Sequence, residues 1–206
     1  MKNFFKSEWF RCVAVLLVLA VTLGGLLAIL SDVLYVSPEE RAGRAIKKIY
    51  NSEMTYKTEL DIDLFAEHSP IEYDFGQINK IYKVEGADDN HYDMLFQAVG
   101  FNGYKGGTIT VWVKVAVDET TDKSNIEKVL LESYDKQTLM SKLTNDYYAK
   151  FNLKDVTSAY QNGELFTSDT SSVNSNPVSG ATYSADAGIN AVNCVITYIG
   201  ELNING

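Results

Sequence analysis

Near the end of this chain, hydroxyl side chains gather where a helix is expected to begin. The run is Asn176-Pro177-Val178-Ser179-Gly180-Ala181-Thr182-Tyr183-Ser184. Its Pro and Gly mark a turn. Ala185, Ile189, Val192, Ile196 and Ile199 then recur at spacings of three and four, which predicts a helix from about Ser184 to Leu202. The N-terminus of such a helix carries unpaired N–H groups and the positive end of the helix dipole, a combination that accepts a phosphate. Thr182 stands in the mouth of that site. Ser179 and Ser184 are spaced to bond the phosphate or to cap the helix. A Ser/Thr-capped helix after a glycine turn is the plainer alternative.

The other chemistry-bearing residues form no convincing set. Asp88, Asp89, His91 and Asp93 cluster, but no Gly-centred twelve-residue calcium loop surrounds them, so the cluster reads as a solvated turn. His68 completes the pair of histidines, and no Ser-His-Asp or Cys-His arrangement can be assembled for nucleophilic catalysis. No Gly-x-Gly-x-x-Gly follows a strand, which argues against direct oxidation of a nicotinamide dinucleotide. Cys12 and Cys194 suggest neither a disulfide framework nor a zinc site.

The elements that must position the hydroxyl cluster follow from patterning. From Cys12 to Ser31 no residue is charged and most are Leu, Val, Ala or Ile, a run long enough for a transmembrane helix. A cleaved signal peptide is the alternative, although no small-x-small site closes the run. Lys2, Lys6 and Arg11 against Glu8 give the first eleven residues +2, which leaves −11 on the remainder of a chain whose formal charge is −9. So acidic a domain repels nucleic acid.

Ser37-Pro38-Glu39-Glu40 has the signature of a helix start, and a basic helix should run from there to about Tyr50, continuing the span or lying on membrane lipid. Residues 51–78 are mixed and polar, with His68 and Pro70 marking a loop. Strands are expected at Lys80–Val84, Tyr92–Phe101, Thr108–Val117 and Ile126–Glu132. In the third of these, Ile109, Val111, Val113, Val115 and Val117 occupy one face, and Thr108, Thr110, Trp112 and Lys114 the other. Short turns between them argue an antiparallel meander. Lys136–Phe151 reads as a helix and 152–178 as mostly irregular. The fold class is α+β: one N-terminal transmembrane helix, then an antiparallel-sheet domain with flanking helices. Expected boundaries are 1–35 for the N-terminus and span, 36–78 for a connecting helix and linker, and 79–206 for the domain.

Ser179-Gly180-Ala181-Thr182 resembles the flavinylation motif of the FMN-binding domain family. That family includes flavin-bearing subunits of the Rnf complex and of the sodium-pumping NADH:quinone reductase. The order of elements resembles that of the Rnf member along nearly the whole chain. Gly103-Tyr104-Lys105-Gly106-Gly107-Thr108-Ile109 is similar to the family's glycine turn before its central strand, where glycine lets backbone approach a ligand. The resemblance implies FMN held by a phosphoester on Thr182, with Ser179, Gly180, Ala181, Tyr183 and Ser184 around it. Thr138, Leu139 and Met140 are further candidates to line the flavin ring. It also implies an electron-transfer subunit of an ion-translocating, Rnf-type ferredoxin:NAD oxidoreductase, without a catalytic site of its own. Its partners would be the other membrane subunits and a flavin transferase. The N-terminus would be cytoplasmic, and the flavin domain would lie on the other side of the cell membrane. A free-standing membrane-anchored electron shuttle and a non-redox partner-binding domain are the alternatives. The chain departs from the family at two places. Glu132-Ser133 is followed by Tyr134-Asp135-Lys136-Gln137-Thr138-Leu139-Met140 where family members often carry Glu-Thr-Pro-Gly-Leu-Gly. Asn176 stands where the family usually has an acid, and its amide is expected to keep hydrogen bonds to the turn.

Overall fold

A computed structural model describes residues 8–50, 70–88, 91–172 and 174–205. His68 and Asp89 lie outside the described residues. The chain divides into two compact units, Met1–Arg44 and Ala45–Gly206.

The first unit contains α1, Glu8–Leu34. Its 27 residues reach about 40 Å at helical rise, and Cys12–Ser31 has a mean hydropathy of 2.9. One helix is therefore long and apolar enough to cross a membrane. The Thr22 hydroxyl lies 2.9 Å from the Val18 carbonyl and 3.0 Å from that of Leu19, so this polar side chain is satisfied within the helix, as an apolar solvent demands. The next helix, α2, is Pro38–Tyr50. Ser37 Oγ accepts the Glu40 N–H at 3.1 Å, which is the cap its sequence predicts.

The second unit is built on five strands: β1 Ile71–Tyr73, β2 Gly76–Asp88, β3 His91–Gly100, β4 Thr108–Asp118 and β5 Lys123–Asp135. Their order is sequential and each neighbouring pair is antiparallel. Helices α3 Asn145–Tyr148, α4 Val156–Gln161 and α5 Thr182–Asn205 follow. The sheet is thus the expected meander, with one strand more. β1 pairs with β2 through Tyr73↔Gly76, ahead of residue 79, where the domain was expected to start. Three residues give too short an alternation to register as a strand.

Ile109, Val111, Val113 and Val115 are fully buried on one face of β4. With Met94, Phe96, Ile126 and the inner side of α5 they form the core. On the other face Trp112 is buried as well. It packs against Tyr82, ring centroids 5.9 Å apart. On this face the Tyr50 hydroxyl donates to Asp93, and Lys114 Nζ lies 4.7 Å from the centre of the Tyr50 ring. Lys128 Nζ donates to the carbonyls of Lys48 and Ile49 at 3.0 and 2.8 Å, closing the C-terminus of α2 with a cation where the dipole favours one. Ala45, Ile46 and Ile49 are buried. The last turns of α2 therefore belong to the domain rather than to a linker.

The helix expected over Lys136–Phe151 is replaced by a loop, a 3₁₀ turn at Met140–Lys142, and the single turn of α3. Lys136 and Leu139 both sit at positive φ, 50° and 59°, which no right-handed helix accommodates. Leu143 and Tyr147 are buried as their spacing predicts, whereas Leu139 is half exposed. Within the stretch read as irregular, α4 forms because the Asp155 carboxylate accepts the Ser158 N–H at 3.0 Å, a regular cap.

Candidate functional site

The hydroxyl cluster lies at the start of α5, which begins at Thr182, two residues before the apolar spacing predicts. The Ala185 N–H bonds the Ala181 carbonyl at 2.9 Å. Ala181 therefore occupies the cap position, and it has no hydroxyl with which to cap. The Ser/Thr-capped reading does not describe this helix. Thr182 is the first helical residue, and its side chain is exposed. Among the described residues, the N–H groups of Thr182, Tyr183 and Ser184 have no hydrogen-bond acceptor. Three donors thus stand open beside a hydroxyl that has no structural duty. The buried Ala181, packed into the core, fixes the helix start, and Gly180 supplies the left-handed turn into it, φ 76°. Ser179 and Tyr183 are exposed.

Ser184 differs from expectation. It is buried, and its Oγ lies 2.8 Å from Gln137 Oε1 and 3.1 Å from the Thr138 carbonyl. Its hydroxyl binds the 137–138 loop and does not turn toward a phosphate. That bond is nonetheless what brings Thr138, Leu139 and Met140 beside the start of α5. Sequence reasoning missed the organising residue, Gln137. Its Oε1 also accepts the Tyr104 N–H at 3.1 Å, and its Nε2 donates to the Asp135 carbonyl at 3.2 Å. The glycine turn packs on it: a Cβ on Gly103 would lie 2.2 Å from Nε2, and one on Gly107 2.6 Å. Here the glycines admit a side chain of the protein itself rather than a ligand. Lys142 was missed as well. Its Nζ donates to the Ser179 carbonyl at 2.7 Å, placing a cation against the motif.

Backbone strain concentrates in this region. Six described non-glycine residues have positive φ, and Asn102, Lys105, Lys136 and Leu139 are four of them. Strand register brings them to one end of the sheet, through Gly100↔Ile109 and Thr108↔Asp135. Residues held in sparse backbone regions cost on the order of 1–3 kcal/mol each and collect at functional sites.

Asn176 contradicts the expectation that its side chain bonds the turn. It is 1% exposed, and neither its Oδ1 nor its Nδ2 has a partner; only its backbone N–H is bonded, to the Thr167 carbonyl at 2.8 Å. Unpaired buried polar atoms are costly, so Asn176→Leu, which keeps the branched shape and number of heavy atoms, is expected to be neutral or to stabilise by about 1 kcal/mol where the site admits the larger methyls. Thermal unfolding of the two proteins checks this.

The acidic cluster lies at the opposite end of the sheet. A concavity of about 290 Å³ there is lined by His91, Asp93, Asp118 and Glu127 among others. Its carboxylates are already engaged. Asp93 accepts from Tyr50 and pairs with Lys114 at 3.2 Å. Asp118 accepts from Thr120 and Thr121, and those hydroxyls lower its pKa to about 2. Among the described residues no three His, Cys, Asp or Glu converge to hold a metal ion. Cys194 is fully buried, which pushes its thiol up to about 12 and keeps it protonated near neutrality.

No protein family, curated protein or solved structure matches this chain.

Proposed function

We propose that this protein is a membrane-anchored electron-transfer flavoprotein that carries FMN as a phosphoester on Thr182. The observation that carries the reading is the state of Thr182: an exposed hydroxyl on the first turn of a 24-residue helix whose cap position is Ala181. The residues present fit the group. Open N–H donors and the helix dipole favour the remaining negative charge of a phosphodiester by about 0.3–1 kcal/mol. Leu139 and Tyr183, 50% and 65% exposed, offer apolar surface at the same end of the domain.

Bound FMN supplies the electron-transfer chemistry; the protein supplies attachment, orientation and charge. Thr182 provides the oxygen of attachment. Ser184 and Gln137 hold the 137–140 loop against the helix start. An electron carrier of this kind needs no general acid of its own. Covalent attachment prevents loss of the cofactor where it cannot be recaptured, which suits a domain outside the cytoplasm on a cytoplasmic N-terminal anchor.

The resemblance favours membership of an Rnf-type ferredoxin:NAD oxidoreductase, with electrons relayed between its subunits and coupled to ion translocation. A free-standing shuttle is the second reading, and co-purification with other membrane subunits separates the two. The founding claim is tested by producing the protein with a flavin transferase, beside Thr182→Val, and reading flavin fluorescence in a denaturing gel. A fluorescent band that is lost in the variant is expected. Dark bands in both would sink covalent attachment and leave a non-redox, partner-binding domain as the better reading.

A further inference from the structure

We infer that Lys142 is the residue that holds the flavin phosphate at Thr182, through its charge. The inference rests on the reading of Thr182 as the attachment point. Lys142 Nζ donates to the Ser179 carbonyl at 2.7 Å, and a Cβ on Gly180 would lie 2.8 Å from it. The ammonium therefore sits over the turn that leads into Thr182. An ammonium has three donors, and the Ser179 carbonyl takes one. Among the described residues no carboxylate lies within ion-pair distance of Lys142.

The position of Lys142 is fixed by its own turn. Its N–H bonds the Leu139 carbonyl at 2.9 Å, the next N–H bonds Met140 at 3.0 Å, and Leu143 beside it is buried. The surrounding charge makes the cation conspicuous. The chain beyond its first eleven residues carries −11, and 167–176 contains no Lys or Arg. A phosphate approaching this domain is repelled by its overall field. A fixed cation at the attachment point offsets that locally and can donate a charge-assisted hydrogen bond.

A lysine that merely ties a loop carbonyl would have the same 2.7 Å bond, so the test must separate the tether from the charge. Lys142→Gln retains an N–H donor for the Ser179 carbonyl and removes the charge; Lys142→Arg retains both. Full-length protein and the two variants would be incubated with a flavin transferase and its flavin nucleotide, and the rate of covalent incorporation measured. The ³¹P resonance of the labelled proteins and their thermal midpoints would be recorded. Loss of one charge-assisted bond implies incorporation about tenfold slower in the Gln variant. The Arg variant should stay within about threefold of wild type on the same scale. The ³¹P resonance should move with Gln, and the midpoints should agree. Equal rates and an unmoved resonance in the Gln variant would overturn the inference, as would Gln and Arg variants that are equally slow. A wild-type protein that stays unlabelled would instead bring down the attachment reading itself, and this inference with it.

Discussion

Gly100→Ala is expected to cost the domain about 3–5 kcal/mol, above the roughly 1–3 kcal/mol usual for an overpacked core, because here the clash is with backbone that has no room to relax. Gly100 ends β3, and α5 crosses directly over it. A Cβ there would lie 1.8 Å from the Ala187 carbonyl oxygen and 2.5 Å from the Ala191 nitrogen. Both are backbone atoms of a helix, so no side chain can rotate away. The helix must lift from the strand, and with it Ala187, Ala191 and Val192, which are fully buried. At roughly 2–4 °C per kcal/mol for a domain of this size, the thermal midpoint should fall by roughly 6–20 °C. Near-UV circular dichroism of the full-length protein in detergent would follow it. The control lies on the same helix. A Cβ on Gly188 would meet nothing closer than 3.6 Å, and alanine is the better helix former by about 0.8–1.0 kcal/mol. Gly188→Ala should therefore leave the midpoint unchanged or raise it. An unshifted midpoint in Gly100→Ala would mean that α5 does not seat on β3 at this point.

The contrast between those two glycines indicates what could be read from sequence. The inner face of β4 was legible because Ile109, Val111, Val113 and Val115 alternate over many residues, and burial enforces such a pattern. The apolar stripe of α5 was legible for the same reason. The alternation of β4 puts Trp112 on the opposite face, but its burial there, against Tyr82 of β2, comes from packing between strands that the pattern of one strand does not show. The absent helix over Lys136–Phe151 is a different failure. Leu139, Met140, Leu143 and Tyr147 do have helical spacing, but Gln137 is drawn into contacts with Tyr104, Asp135 and Ser184. The chain adopts left-handed backbone at Lys136 and Leu139 on either side of it, and those tertiary bonds override a local pattern. At the candidate site, Thr182 could be singled out from a contiguous stretch. Gln137 and Lys142 could not, because each acts on residues roughly forty positions away, and nothing in a lone Gln or Lys announces its partner.

Gln137→Leu follows from that arrangement and separates the site from the scaffold. Leucine is close in volume but makes none of the three bonds of the amide. The part-buried Tyr104 N–H loses its acceptor, and the exposed Asp135 carbonyl exchanges the amide for water. The Ser184 hydroxyl keeps the Thr138 carbonyl at 3.1 Å. One deprived part-buried donor puts the cost near 1–2 kcal/mol. Gln137→Glu should cost less, because a carboxylate still accepts from Tyr104 and Ser184 and loses only the bond to Asp135. Thermal midpoints should therefore rank wild type, Glu, then Leu. The larger effect is expected in flavin incorporation at Thr182, measured well below the midpoint of the Leu variant so that the protein remains folded. Without Gln137, the loop that carries Leu139, Met140 and Lys142 loses its anchor to the glycine turn and keeps only part of its hold on α5. If the 137–142 segment forms one wall of the site, incorporation should fall in Leu and largely persist in Glu. If the Leu variant incorporates flavin at the wild-type rate, the loop lies outside the site, and the open N-terminus of α5 is sufficient to present Thr182.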